Sequence, residues 1–205
     1  MAKTSGSVAK RKGGLIEGDS SYKGKIGKAE SLVNIQNAQL YKSVKQSISR
    51  YHSVLGVKQQ DVKLAEMSKN VGGVHLTVDG RSKQVLLNSK VFKNGTVRSV
   101  SSWTEGGYKS GHLTKTNKPV AHIITHELAH ATWNSNFKAP NVRAAGKEVT
   151  KLYEKWSSDT KKTGYGRYAK TSVNEFWAEV STKAVHGKPD KYTRKIKAII
   201  KKYKL

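Results

Sequence analysis

The sequence predicts an α+β domain, mainly helical, with a small β-sheet and one apolar helix carrying His-Glu-x-x-His. Three observations lead there. Apolar residues recur every three to four positions over long stretches on both sides of the chain's centre. Between those stretches, residues 74–88 change to the alternation of a hairpin. Residues 119–134 then place His126-Glu127-Leu128-Ala129-His130 inside a largely apolar run. A chain of 205 residues is long enough to bury a substantial core. Residues 30–205 read as a single domain behind a flexible basic tail, residues 1–29.

The tail is rich in Gly, Ser and Lys, has few large apolar residues, and contains the cluster Lys10-Arg11-Lys12. From Glu30 to Leu55 the positions Leu40, Val44, Ile48, Tyr51 and Leu55 mark an amphipathic helix with a wet lysine face. Val57 to Lys69 reads as a shorter helix, ended by Asn70 and the pair Gly72-Gly73. Val74–Val78, the turn formers Asp79-Gly80 and Gln84–Asn88 form the hairpin. His75 alternates with Val74 and Leu76, so it faces the other side and reads as an exposed strand histidine. Val91-Phe92 and Val97–Val100, across Asn94-Gly95, read as a second short strand pair.

Residues 101–118 read as a glycine-rich loop bordering the cleft beside the next helix, with His112 on the surface. Pro119 suits the first turn of that helix. Beyond Pro140, the positions Val142, Ala145, Val149, Leu152, Tyr153 and Trp156 mark another amphipathic helix, followed by a polar loop, residues 157–166. A further helix carries Glu175-Phe176-Trp177-Ala178-Glu179 and ends near His186-Gly187. The last, Asp190 to Lys204, buries Tyr192, Ile196, Ile199, Ile200 and Tyr203.

Composition narrows the chemistry. There is no cysteine, so any metal site must be built from His, Asp or Glu. The formal net charge of +25 favours anionic partners: acidic proteins, nucleic acid or an acidic membrane face. No nucleic-acid module is recognisable, so charge argues for association and not for a reaction. No apolar run approaches the roughly 20 residues of a membrane span. The N-terminus lacks the apolar core of a secretory signal. Cytoplasmic synthesis is expected, with packaging in a virion or release without a signal peptide as the routes left open.

On a helix, His126 and His130 lie about 6 Å apart along the axis and on one face, so both imidazoles can point at one zinc ion. Glu127, beside the first of them, can take a proton from water and pass it on. A third protein ligand is needed. The metzincin pattern would put glycine and histidine where Trp133 and Asn136 stand, so that branch is excluded. What remains is a carboxylate from a later helix. Glu175 and Glu179 lie one turn apart amid aromatic residues, where a bare acid is costly. Ser172-x-x-Glu175 also fits a capping box, which would leave Glu179 as the ligand. Glu148 and Glu154 sit on a wetter face. His122 is about 12 Å along the axis from His130 and reads as core or support.

His126-Glu-Leu-Ala-His130, followed about forty residues later by Tyr168-Ala-x-x-x-x-x-Glu175-Phe-Trp-Ala-Glu179, resembles the catalytic domain of the anthrax lethal factor family. These are gluzincin-type zinc peptidases, with a related pattern in some phage- and mobile-element-encoded proteins. The resemblance spans roughly residues 70–190. It implies a zincin-like metallopeptidase fold, with Zn2+ held by His126, His130 and Glu175 and with Glu127 as general base. It further implies Tyr168 as hydroxyl donor to the developing oxyanion and Glu179 as the acid orienting a zinc histidine. Trp177 and Thr132 depart from the family's usual residues, and Tyr165 competes with Tyr168 for the tyrosine role. The function implied is zinc-dependent endopeptidase, acting on a peptide or protein substrate. The other reading is a polyanion-associated structural protein, such as a virion component, on the same scaffold.

Overall fold

In the computed structural model, residues 17–18, 22, 24–78, 81–136, 138–159 and 164–205 are described. The Lys10-Arg11-Lys12 cluster, the Asp79-Gly80 turn and part of the loop at 157–166 lie outside them. The first strand among the described residues is β1 (Glu17–Gly18), antiparallel to a later strand. A 3-10 turn at Leu32–Asn34 precedes α1 (Ala38–Leu55). The helix starts later than the expected Glu30 because Asn37 accepts a hydrogen bond from the Leu40 amide and caps it there, just ahead of the first apolar position. Gly56, at φ 67°, ends it in the left-handed conformation that glycine adopts without penalty.

The helix expected over Val57–Lys69 is instead a strand, β2 (Val62–Ala65). Val62 and Leu64 enter the main core, while Ala65 and Met67 enter a smaller cluster elsewhere. A strand buried on both faces shows no clean alternation, which is why its pattern misleads. The hairpin forms as expected: β3 (Gly73–Val78) runs antiparallel to β4 (Arg81–Asn88). β2 joins β4 in parallel, giving the strand order β1-β3-β4-β2.

The second strand pair does not form. Its residues lie in α2 (Ser89–Phe92) and α3 (Val97–Lys109), and α3 also takes up the first half of the expected loop at 101–118. Asn88 caps α2, and Thr96 with Ser99 makes a reciprocal capping box for α3. A box closed by serine lacks the Glu or Gln that makes the motif readable in sequence. Gly107 sits in the last turn of α3 because Leu113 folds back onto it: a Cβ there would meet the Leu113 side chain at 2.6 Å.

The remaining helices follow the predicted pattern: α4 (Pro119–Trp133), α5 (Pro140–Ser157), α6 (Val173–His186) and α7 (Lys191–Tyr203). α4 is the centre. Every residue from Val120 to Thr132 is buried, so this helix has no wet face. It packs on β3 and β4 and is flanked by α1, α3 and α6. The Trp177 indole N–H donates to the Ala129 carbonyl at 2.8 Å and ties α6 to it. The other face of the sheet carries a small cluster, Ala65, Met67, Val74, Leu76 and Leu86, against which Tyr22 and Ile26 pack. No helix among the described residues is long and apolar enough to cross a membrane.

Candidate metal centre

Helical spacing puts His126 and His130 on one face of α4, and α6 presents Glu175 and Glu179 to that face from the next layer. His126 Nε2 lies 3.1 Å from His130 Nε2 and 3.0 Å from Glu175 Oε2, and His130 Nε2 lies 3.4 Å from the same oxygen. All three residues are buried. Their donor atoms lie within 4.8 Å of one another, a group able to hold a metal ion. Ligand atoms about 2.1 Å from one ion at tetrahedral angles lie roughly 3.4 Å apart, so the observed triangle fits a small divalent cation. A buried triangle of two imidazole nitrogens and one carboxylate oxygen suits a first-row transition metal better than calcium or magnesium.

The alternatives left open by the sequence separate in space. Ser172 does cap α6, accepting from the Glu175 amide at 3.1 Å, but the Glu175 side chain turns to the histidines and leaves the box half closed. Glu179 is fully buried one turn on. Its Oε1 accepts from His126 Nδ1 and from His122 Nε2, each at 3.1 Å, and its Oε2 accepts from the Thr114 amide at 2.6 Å. With Nδ1 donating to Glu179, His126 turns the lone pair of Nε2 toward His130 and Glu175. His122, His126 and Glu179 form a second, overlapping group close enough to hold an ion. Glu148 and Glu154 lie elsewhere: Glu148 pairs with Lys202 and Tyr203, and Glu154 is exposed.

The charges reinforce this arrangement. Burial alone would lower the His126 pKa, but the two carboxylates raise it well above its ordinary value. Burial would raise Glu175 and Glu179, yet the histidines beside them hold both well below the usual carboxylate range. A cation or a proton is therefore favoured at the centre of the cluster.

Next to it opens a cleft of about 440 Å³, whose walls include Gly73, Trp103, His112, His126, Glu127 and Tyr168. Glu127, on the turn that carries His126, is buried beside β3; a Cβ on Gly73 would stand 2.9 Å from its Cγ. Tyr168 lies face to face with His126, centroids 5.6 Å apart and planes 17° apart, and its ring centroid is also 4.8 Å from that of His112. Tyr165 is turned away and donates its hydroxyl to Asp190 Oδ2 at 2.8 Å. His112 is exposed but borders the cleft.

His75 corrects the expectation of an exposed strand histidine: it is fully buried, with Nε2 3.1 Å from Ser82 Oγ and Nδ1 3.3 Å from Asn134 Nδ2. It does face the side opposite to Val74 and Leu76, but α4 covers that side. Burial, and then the nearby His130, lowers its pKa to about 3. Thr132, a polar residue in an apolar helix, meets the buried Tyr51 hydroxyl at 2.8 Å.

Two contributors escape sequence reasoning. Thr114 acts through its backbone amide, which carries no residue signature. Gly73 acts by leaving room for Glu127, and the sequence offers it only as half of a turn-like glycine pair.

No family model, no curated protein and no solved structure matches the chain.

Proposed function

We propose that this chain is a zinc-dependent endopeptidase of the gluzincin type, as its resemblance to the lethal factor family implies. The observation that carries the reading is one arrangement: two imidazole nitrogens and a carboxylate oxygen converge beside a cleft, with a second carboxylate, Glu127, on the same wall. His126, His130 and Glu175 are the residues that would hold the metal. Zinc bound there supplies Lewis acidity toward a scissile carbonyl and acidifies water toward neutral pH.

Glu127 takes the proton of the attacking water and returns it to the departing amine. Tyr168, against the His126 ring at the cleft wall, donates its hydroxyl to the oxygen on which negative charge develops. Glu179 holds His126 in one tautomer and one orientation and is in turn fixed by His122 and the Thr114 amide. On the outer side of β3, β1 covers Leu76 and Thr77, and Gly73 and Val74 border the cleft. An extended peptide adds to the sheet there, at the start of β3. The cationic surface favours acidic segments in that peptide.

The test is Glu127→Gln against wild type on a denatured protein substrate, with metal content measured in both. The expected result is an unchanged zinc content and a loss of cleavage of about 10²–10⁴-fold. Equal cleavage by both proteins would overturn the reading. Wild-type protein that cleaves nothing while binding DNA in a salt-sensitive way would favour the polyanion-associated scaffold instead.

A further inference from the structure

α5 and α7 pack on α6 and on each other, and neither gives a residue to the cleft. They run antiparallel. At one end the Asn141 side chain donates to the Tyr203 carbonyl at 2.8 Å, and at the other Lys191 and the Tyr192 hydroxyl meet Asp159. The cations of α5 are Arg143, Lys147, Lys151 and Lys155, one at every fourth residue and each exposed. That spacing makes one slowly turning row, rising about 6 Å per step and about 18 Å in all. α7 has Lys or Arg at six of its 13 positions and no acid, and Arg194, Lys195 and Lys201 are exposed opposite its buried stripe.

The charge on these two helices is largely uncompensated. Of the two acids of α5, Glu148 is engaged by Lys202 and Tyr203, and Glu154 is exposed. The four cations of α5, with Arg194, Lys195 and Lys201, have no ion-pair partner among the described residues. Each step of the α5 row also sets like charges side by side, which weakens the helix. An anion lying along the row offsets that repulsion.

The rest of the surface says which anion. Val33 and Trp103 are the exposed large apolar side chains among the described residues, and neither belongs to α5 or α7. The face therefore has no aromatic platform for the bases of a single strand. It has no apolar edge to enter a lipid surface, and no apolar anchor for the centre of a protein interface. What it offers is two rows of cations on helices whose axes lie about 8–10 Å apart. That separation falls within the widths of duplex grooves, about 6–12 Å, and the α5 row is as long as roughly five base pairs.

We infer that the α5–α7 face binds the phosphate backbone of double-stranded nucleic acid, without reading its base sequence. The α5 row neutralises phosphates of one strand, and Arg194, Lys195 and Lys201 those of the strand across the groove. Nothing in this depends on the metal centre, and the surface stands whether or not that centre is catalytic.

The experiment measures binding of the full chain to a short labelled DNA duplex by fluorescence anisotropy over a series of salt concentrations. One variant carries Arg143→Gln, Lys147→Gln, Lys151→Gln and Lys155→Gln. A control of equal net charge carries Lys58→Gln, Lys83→Gln, Arg98→Gln and Lys109→Gln, all exposed and lying before β2, on β4 and on α3. Glutamine is a good helix former, so the α5 variant keeps its helix, and circular dichroism verifies it. The expected result is a slope of log K against log salt that is shallower by about 3–4 in the α5 variant, one unit of about 0.9 per phosphate released. Its affinity falls at least about tenfold near about 0.15 M salt, while the control shifts the slope by less than about one. Equal losses in the two variants would assign the binding to diffuse net charge and overturn the inference. Tighter binding of a single strand than of the duplex overturns it too, as does a binding loss in the α5 variant that appears only on anionic phospholipid vesicles. A duplex RNA of the same length, run in parallel, tells which nucleic acid the surface prefers.

Discussion

Replacing Glu179 with glutamine separates support of the metal-capable cluster from membership in it. The carboxylate has no exposed surface and receives three donors: His126 Nδ1, His122 Nε2 and the Thr114 amide. An amide of the same shape keeps one acceptor oxygen and turns an NH2 toward a donor. If the oxygen stays with the histidines, the Thr114 N–H faces that NH2 and goes unsatisfied, which costs about 1–3 kcal/mol. The tautomer of His126 is then set by a neutral acceptor. Changes of this kind behind a metal-binding histidine weaken the metal by about 10–100-fold, or roughly 1.4–2.8 kcal/mol. The assay is competition for zinc against a chromophoric chelator, beside thermal unfolding of the metal-free protein. Glu179→Gln is expected to lower both zinc affinity and apo stability while keeping zinc stoichiometry. An affinity equal to wild type would refute the supporting role. Complete loss of zinc would show that Glu179 is itself a ligand.

Three further outcomes follow from single contacts. Gly73→Ala places a methyl 2.9 Å from Glu127 Cγ and 3.0 Å from the Leu86 carbonyl, so cleavage should fall by about tenfold or more with zinc content retained; steady-state kinetics with metal analysis checks it. Trp177→Phe removes the donor to the Ala129 carbonyl and part of a fully buried ring, and should cost about 2–3 kcal/mol in urea unfolding. His186 has a folded pKa lowered to about 4 from an ordinary 6.5, so the unfolded chain binds a proton that the folded one refuses. Stability is complete above about pH 6.5 and falls as the pH drops toward 4, by roughly 3 kcal/mol at most. In chelator and phosphate-free buffer, unfolding of His186→Asn should show a shallower pH slope in that window than wild type.

The elements that were legible in sequence are those whose burial is one-sided. α1, α5 and α7 each bury one stripe, so a 3.6-residue period betrays them; the hairpin has alternation and turn formers. α4 was legible for another reason, its motif and Pro119, since burial all round leaves it no period. β2 failed because Val62, Leu64, Ala65 and Met67 are all buried and point to two cores. α3 failed because its cap is Thr96 with Ser99 and its last turn holds Gly106-Gly107, both of which read as loop. At the cluster, His126, His130, Glu175 and Glu179 stand out as polar residues in apolar helices. Whether Glu175 or Glu179 faces the His126–His130 pair is decided by how α6 lies against α4, a tertiary fact. His75 misled for the same reason: alternation gives its side of the sheet, and only the packing of α4 says that this side is dry.

The central claim is that His126, His130 and Glu175 hold one metal ion. Elemental analysis of the purified wild type beside His126→Ala, Glu175→Ala and Glu127→Gln tests it most directly. Stoichiometric zinc in wild type and Glu127→Gln, lost in both alanine variants while their circular dichroism stays helical, is the predicted result. Zinc retained in Glu175→Ala, or a wild type that takes up no divalent metal at all, would contradict it.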